Sequence, residues 1–216
     1  MQPHEVQLLT MVTSLLAAMI ASAAISAYAF RRYFSCGFIA GAFVATIVMI
    51  FVAVVFHDTQ SPLIAFALAI GLGATIGADL GGFTIAVTEG KPRGREAVFV
   101  TLAILAVTTV VTAGIGLLSG FDFQGLRGVM FMGLLGILGV SLIFMFVRLG
   151  KVMEMVWGLA VSAFFMIYLI IDFNRIVDQY TEANWGAAVQ VALSICLDLV
   201  NIFVRLLPII VELMDN

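Results

Sequence analysis

Seven long apolar stretches, separated by short polar loops, constrain the fold of this chain more than any other feature of its sequence. Each has roughly the 20 apolar residues that a helix needs to cross the hydrocarbon core of a bilayer. We therefore predict an all-α polytopic membrane protein, with one helical domain over residues 1–216. Its predicted spans are about 8–30, 33–56, 62–88, 97–118, 129–147, 152–176 and 187–213.

The composition excludes the other common classes of protein. Hydrophobic residues make up 63% of the chain, charged residues make up 11%, and the mean hydropathy is +1.18. Soluble domains carry about 25% charged residues, so a multi-pass membrane protein is the class that fits. The chain has no basic patch of the kind that binds nucleic acid. We expect the lipid bilayer, and no nucleic acid, as a partner.

The last apolar stretch differs from the others because its polar residues share one helical face. At about 100° per residue they fall within roughly 80° of arc. We call this set the polar seam: Gln190, Ser194, Asp198, Asn201, Arg205 and Glu212. A charged side chain that faces lipid at mid-membrane costs about 2.5–3.5 kcal/mol. We therefore predict that the seam turns inward, among more apolar helices.

Glycines recur at helical spacing in the third and fifth stretches. Small residues spaced in this way let a second helix approach closely, so we predict tight packing there, with a hinge or gating role as the alternative. The glycines are Gly73, Gly77 and Gly81 in the third stretch, and Gly133, Gly136 and Gly139 in the fifth.

The sequence contains no motif typical of an enzyme. It lacks a zinc-binding HExxH motif, a Cys-x-x-Cys pair, a phosphate-binding glycine loop and a serine nucleophile elbow. Intramembrane aspartyl proteases carry Tyr-Asp and Gly-x-Gly-Asp signatures, and neither Asp172 nor Asp198 stands in such a context. We expect no enzymatic activity, no catalytic residue and no cofactor.

Asp172 and Asp198 are the strongest candidates for function. They lie on either side of the last loop, so an antiparallel hairpin could bring them together. Two carboxylates in low-dielectric surroundings cannot both ionise cheaply and would share a proton. The pair would form a proton sensor, or an acidic oxygen site that Ca²⁺ could enter. Candidate counter-charges are Arg31, Arg32, Arg175 and Arg205.

A structural interpretation of these residues stays open. Asp198 could pair with Arg205 through Asn201 or water, and Asp172 could be an interfacial residue at a helix end. Asp79, in the third stretch, is a further acidic candidate with the same two interpretations.

The end of the chain resembles the Bax inhibitor motif-containing transmembrane family, which includes Bax inhibitor-1-like proteins. FFMIYLIIDFNRI and ALSICLDLVNIFVRLLPII match the family's Tyr-Asp-x-x-x-Ile helix end and its final Ala-Leu-x-x-Tyr-x-Asp-x-x-Asn-x-Phe-x-x-Leu-Leu helix. The family's first tyrosine is Ile171 here, and its second is Ile195 or Cys196. Residues in matching places are Asp172, Ile176, Ala192, Leu193, Asp198, Asn201, Phe203, Leu206 and Leu207.

The resemblance implies a seven-helix fold with the last helix at its centre and a pH-sensitive calcium leak across the membrane. Asp172 and Asp198 would sense pH on the ion pathway and bind calcium, with Arg31 or Arg32 as the arginine partner. Calcium and protons would be the partners, and a prokaryotic cell (inner) membrane the location. The seam adds further candidates: Ser194, Asn201 and Arg205.

Two questions stay open at this point. Basic residues in the first, third and fifth loops place those loops in the cytoplasm by the positive-inside rule, which puts the sixth loop, beside Asp172 and Asp198, on the outer side. The family places its aspartate-bearing loop in the cytoplasm, so the side of the membrane that the pair faces stays open. The alternative function is a non-transporting regulator that binds other membrane proteins, such as a membrane protease. Proton-coupled transport is less favoured, because the sequence shows no internal repeat.

Overall fold

A computed structural model describes residues 2–30, 36–56, 60–147, 150–178 and 183–215. Within them the chain forms seven α-helices and no strand, so the all-α, seven-helix prediction is confirmed. A short 3₁₀ turn, Gln124–Leu126, precedes the fifth helix. The helices are α1 (Pro3–Phe30), α2 (Cys36–Val55), α3 (Pro62–Thr88), α4 (Gly94–Leu118), α5 (Arg127–Phe146), α6 (Lys151–Asp178) and α7 (Trp185–Asp215).

The length and apolar surface of these helices make the chain an integral membrane protein. Among the described residues, six helices are long and apolar enough to cross a membrane, and α2 contributes a shorter apolar stretch, Ala40–Val55. Large apolar side chains such as Phe99 and Phe146 are mostly exposed, which is favourable only against lipid. Burial is greatest along α7 and least along α5.

The chain divides into two compact units. One unit comprises Met1–Gly90 with Ile176–Leu197, and the other comprises Lys91–Arg175 with Asp198–Asn216. The divisions fall within α6 and α7, so each of these helices contributes to both units. The single domain that we predicted over residues 1–216 stays a prediction.

In the first unit, α3 packs against α1 and α2. A Cβ atom at Gly73 or Gly77 would collide with the α1 backbone at Met19 or Ala23. Because the two helices approach so closely, the Ser26 hydroxyl of α1 can donate a hydrogen bond of 2.6 Å to the Ala74 carbonyl of α3. The predicted tight packing of the third stretch is confirmed at these glycines.

In the second unit, glycines also bring helices together. A Cβ atom at Gly116 of α4 would lie 2.6 Å from the Ile170 carbonyl oxygen of α6, and one at Gly133 of α5 would lie 2.6 Å from the Phe164 ring. Gly136 and Gly139 are exposed, and a Cβ atom at either would meet no described atom within 4 Å. The prediction of a packed glycine ridge on α5 is therefore right at Gly133 and wrong at these two, because no described helix covers them.

Asn174 of α6 holds the connection between α4 and α5. Its side chain is 2% exposed. Its Nδ2 donates to the carbonyl oxygens of Gly116, at 3.3 Å, and Phe121, at 3.0 Å. Its Oδ1 accepts from the Phe123 backbone N–H, at 3.1 Å, and from Gln124 Nε2, at 3.3 Å. This one amide side chain thus provides hydrogen-bond partners for groups at both ends of the irregular segment between α4 and α5.

Candidate functional site: a buried pair of carboxyl groups

Helices α6 and α7 bring Asp172 and Asp198 together. The two residues are 3% and 6% exposed, and their carboxyl groups lie within hydrogen-bonding range of each other. Both residues belong to the second compact unit. A hydrogen bond between two carboxyl groups requires a proton between them. The geometry that the hairpin argument predicted for these two residues is therefore present, whereas their role stays a prediction.

Arg175 is the cation beside the pair. It lies one turn after Asp172 on α6, and its Nη1 donates to Asp172 Oδ1 at 3.5 Å. The arginine side chain is 12% exposed and that of the aspartate 5%, so the contact is shielded from water. An ion pair in such surroundings is screened less than one at a surface. Of the four candidate counter-charges, this is the one that the described residues place on the pair.

The other predicted arginines are placed differently. Arg31 and Arg32 lie outside the described residues. Arg205 lies about two turns beyond Asp198 on α7 and lines a separate cavity. Among the described residues its side chain has no hydrogen bond or ion pair.

Tyr168, which was not among the predicted site residues, also lies near the pair, and Arg127 lies within electrostatic range of this tyrosine. Tyr168 lies within electrostatic range of both carboxyl groups and of Arg127. It precedes Asp172 by four residues, so helical spacing alone could have identified it as a neighbour. Arg127 is the first residue of α5, and no local pattern connects it with the last two helices.

Within the pair, Asp198 Oδ2 is buried and accepts no hydrogen bond from a nitrogen or hydroxyl donor of the described residues. An oxygen of this kind is suited to a proton, a water molecule or a hard cation. The described residues contain no group of three or more His, Cys, Asp or Glu side chains that could hold a metal ion. The pair therefore offers two carboxyl groups to a cation rather than a complete protein cage.

The remaining candidates lie along α7 and on α3. Along the polar seam, Asp198 is buried, Ser194 is half-buried and Asn201 is exposed, so the seam is not turned inward over its whole length. Asp79 lies in the first unit, where its Oδ2 accepts a hydrogen bond of 2.9 Å from Thr46. Its Oδ1 is buried without a partner among the described residues.

The family of the chain follows from comparison with known proteins. The family model described as "Inhibitor of apoptosis-promoting Bax1" matches residues 5–215. The chain belongs to the Bax inhibitor-1 family. The resemblance seen in the last two helices is confirmed, and it extends along nearly the whole chain.

Relatives of this Bax inhibitor-1 family member occur in plants, fungi and bacteria. Protein LIFEGUARD 4 of Arabidopsis thaliana is 28% identical over 128 residues, which are 59% of this chain and 50% of the relative. Bax inhibitor 1 of Schizosaccharomyces pombe is 29% identical over 121 residues, 56% of this chain and 43% of the relative. A membrane protein of Streptococcus pyogenes serotype M3 is 30% identical over 174 residues, 78% of this chain and 72% of the relative. The chain thus spans about half the length of the plant and yeast relatives.

Proposed function

We propose that this chain is a pH-sensitive calcium leak channel, gated by the protonation of Asp172 and Asp198. The observation that carries the proposal is the contact between two buried carboxyl groups on different helices. One shared proton makes this contact attractive, whereas two ionised carboxylates at the same distance repel each other. A change of one proton can therefore favour either of two arrangements of α6 and α7.

Arg175 sets the charge of the site in each state. With one proton on the pair, the single remaining negative charge is balanced by this guanidinium, 3.5 Å from Asp172. When this last proton leaves, the two carboxylates carry two negative charges, and Arg175 balances only one of them. A permeating cation would compensate the other charge. Loss of the proton thus both separates the carboxylates and creates a site for calcium.

Calcium enters the proposal as the permeant ion. It takes about six to eight oxygen ligands, of which the pair can supply only some, so water would complete the coordination. A partly hydrated and weakly held ion can leave as readily as it enters, which conduction requires. Asp198 Oδ2, which accepts no hydrogen bond from a nitrogen or hydroxyl donor of the described residues, is the first ligand that we assign to it.

Calcium flux into dye-loaded proteoliposomes tests the proposal across near-neutral pH. Asp172→Asn and Asp198→Asn place a neutral group of the same shape at each position, so flux should lose its pH dependence in both. Asp122→Asn is the matched control, because Asp122 is exposed and an amide oxygen can still accept the 2.8 Å hydrogen bond from the Gln124 backbone. Wild-type flux no greater than that of empty liposomes at any pH would refute the leak.

The second candidate function is a regulator that binds other membrane proteins without transport. It is favoured by the names of relatives, since the S. pombe protein is called a Bax inhibitor. In this case the buried pair would serve packing alone. The regulator would gain support if the purified protein showed no calcium flux but bound a defined membrane partner saturably. The Asp172→Asn variant should then bind that partner with the same affinity as the wild type.

A further inference from the structure

A cavity separate from the carboxyl pair lies between α5, α6 and α7 of the second unit. Its volume is about 750 Å³, and neither Asp172 nor Asp198 lines it. This volume falls within the range of about 300–1,000 Å³ that is typical of ligand pockets. The lining includes Val147, just after α5, Lys151 at the start of α6 and Glu212 near the end of α7. One end of each of these three apolar helices lies beside the cavity, so its mouth opens towards one end of the spans.

Three hydrogen-bond donors in the lining have no acceptor among the described residues. Ser141 Oγ and Trp157 Nε1 are buried without a partner among the described residues. Arg205 also lines the cavity and has neither a hydrogen bond nor an ion pair within the described part of the chain. Buried polar groups normally have partners. A guanidinium beside two neutral donors suits an anion with several oxygens, and phosphate is one of the anions whose geometry matches this side chain.

Arg205 is the cation of the lining that is available to bind an anion, because the lysine of the lining is already paired. Lys151 forms an ion pair of 2.7 Å with Glu212. Acceptors are present as well: Pro208 has no N–H, so the Val204 carbonyl lacks its helical partner, and Glu154 is exposed. These acceptors suit the hydroxyl or ammonium group that a phospholipid headgroup carries beside its phosphate.

The apolar side of the cavity is continuous with the lipid-facing surface. Leu138, Leu142 and Val147 line the cavity, and they are 53%, 60% and 52% exposed. In a membrane-spanning chain, exposed apolar side chains of this kind meet acyl chains. A molecule with a phosphate in the cavity could therefore lay its hydrocarbon chains along α5, which a soluble anion could not do.

We propose that this cavity binds a membrane phospholipid, whose phosphodiester group is held by Arg205, Trp157 and Ser141. The site shares no side chain with the carboxyl pair. Its test measures lipid binding rather than calcium flux, so this proposal and the proposed function can fail separately.

Native mass spectrometry of the delipidated protein in detergent tests the site. Phosphatidylglycerol and phosphatidylethanolamine are each titrated, and saturable binding of one molecule of either is expected. Arg205→Gln should weaken this binding about tenfold, as expected for the loss of a charge-assisted hydrogen bond. Arg95→Gln is the matched control, because Arg95 is exposed on α4 and lies outside the cavity lining.

A second variant distinguishes a local effect on the cavity from a general loss of structure. Trp157→Phe removes the indole N–H but keeps an aromatic ring against Phe144, whose centroid is 5.2 Å away. It should also weaken lipid binding, at unchanged helix content by circular dichroism. Equal lipid affinity in wild type, Arg205→Gln and Trp157→Phe would overturn the proposal. Inorganic phosphate that binds as tightly as the lipids would overturn the choice of a lipid.

Discussion

Replacement of Asn174 by alanine should destabilise the protein by about 3 kcal/mol. The side chain makes two hydrogen bonds of 3.0 and 3.1 Å and two longer ones of 3.3 Å. A net contribution of about 1 kcal/mol for each shorter bond, and about half of that for each longer one, gives this total. The residue is 2% exposed, so water cannot easily replace the lost partners.

Reversible unfolding in mixed micelles of a mild detergent and dodecyl sulfate measures this loss. Asn184→Ala is the comparison, because among the described residues the Asn184 side chain accepts one hydrogen bond, of 2.7 Å, from the Ala187 backbone N–H at the start of α7. Loss of such a cap costs about 1 kcal/mol. If Asn174→Ala lowers the free energy of unfolding no more than Asn184→Ala does, the four hydrogen bonds of Asn174 do not stabilise the connection between α4 and α5.

Two further substitutions test the helix packing and the carboxyl pair. Gly77→Val should lower the stability by more than about 2 kcal/mol in the same assay, because the new side chain meets the α1 backbone at Ala23. Gly41→Val, at a glycine with no described atom within 4 Å, should change it little, and equal losses would contradict the packing argument. Tyr168→Phe should shift the pH midpoint of calcium flux without abolishing the flux, since it removes a hydroxyl dipole near both carboxyl groups. An unchanged midpoint would remove this tyrosine from the site.

The helices were predictable because a bilayer imposes a length on every apolar segment. The third stretch was predicted over residues 62–88, and α3 runs from Pro62 to Thr88. The same reasoning failed on the surface of α5. Spacing shows that Gly136 and Gly139 could admit a neighbouring helix, but it cannot show whether a helix lies there.

The candidate site was predictable only in part. The pairing of Asp172 with Asp198 is predictable because a short loop joins their helices, and helical spacing also identifies Tyr168 as a neighbour of Asp172. Arg127 and Asn174 gave no such signal, since their partners lie tens of residues away in the chain. The cavity beside Arg205 depends on three helix ends meeting, which no local pattern of the sequence encodes.

Infrared spectroscopy shows whether Asp172 and Asp198 share a proton. A protonated carboxyl group absorbs separately from a carboxylate, so spectra are recorded at neutral pH for wild type and for Asp172→Asn, Asp198→Asn and Asp122→Asn. We expect a protonated-carboxyl band in wild type and in Asp122→Asn that is lost or shifted in both Asp172→Asn and Asp198→Asn. A wild-type spectrum without this band, or a band unchanged in both variants, would contradict a shared proton.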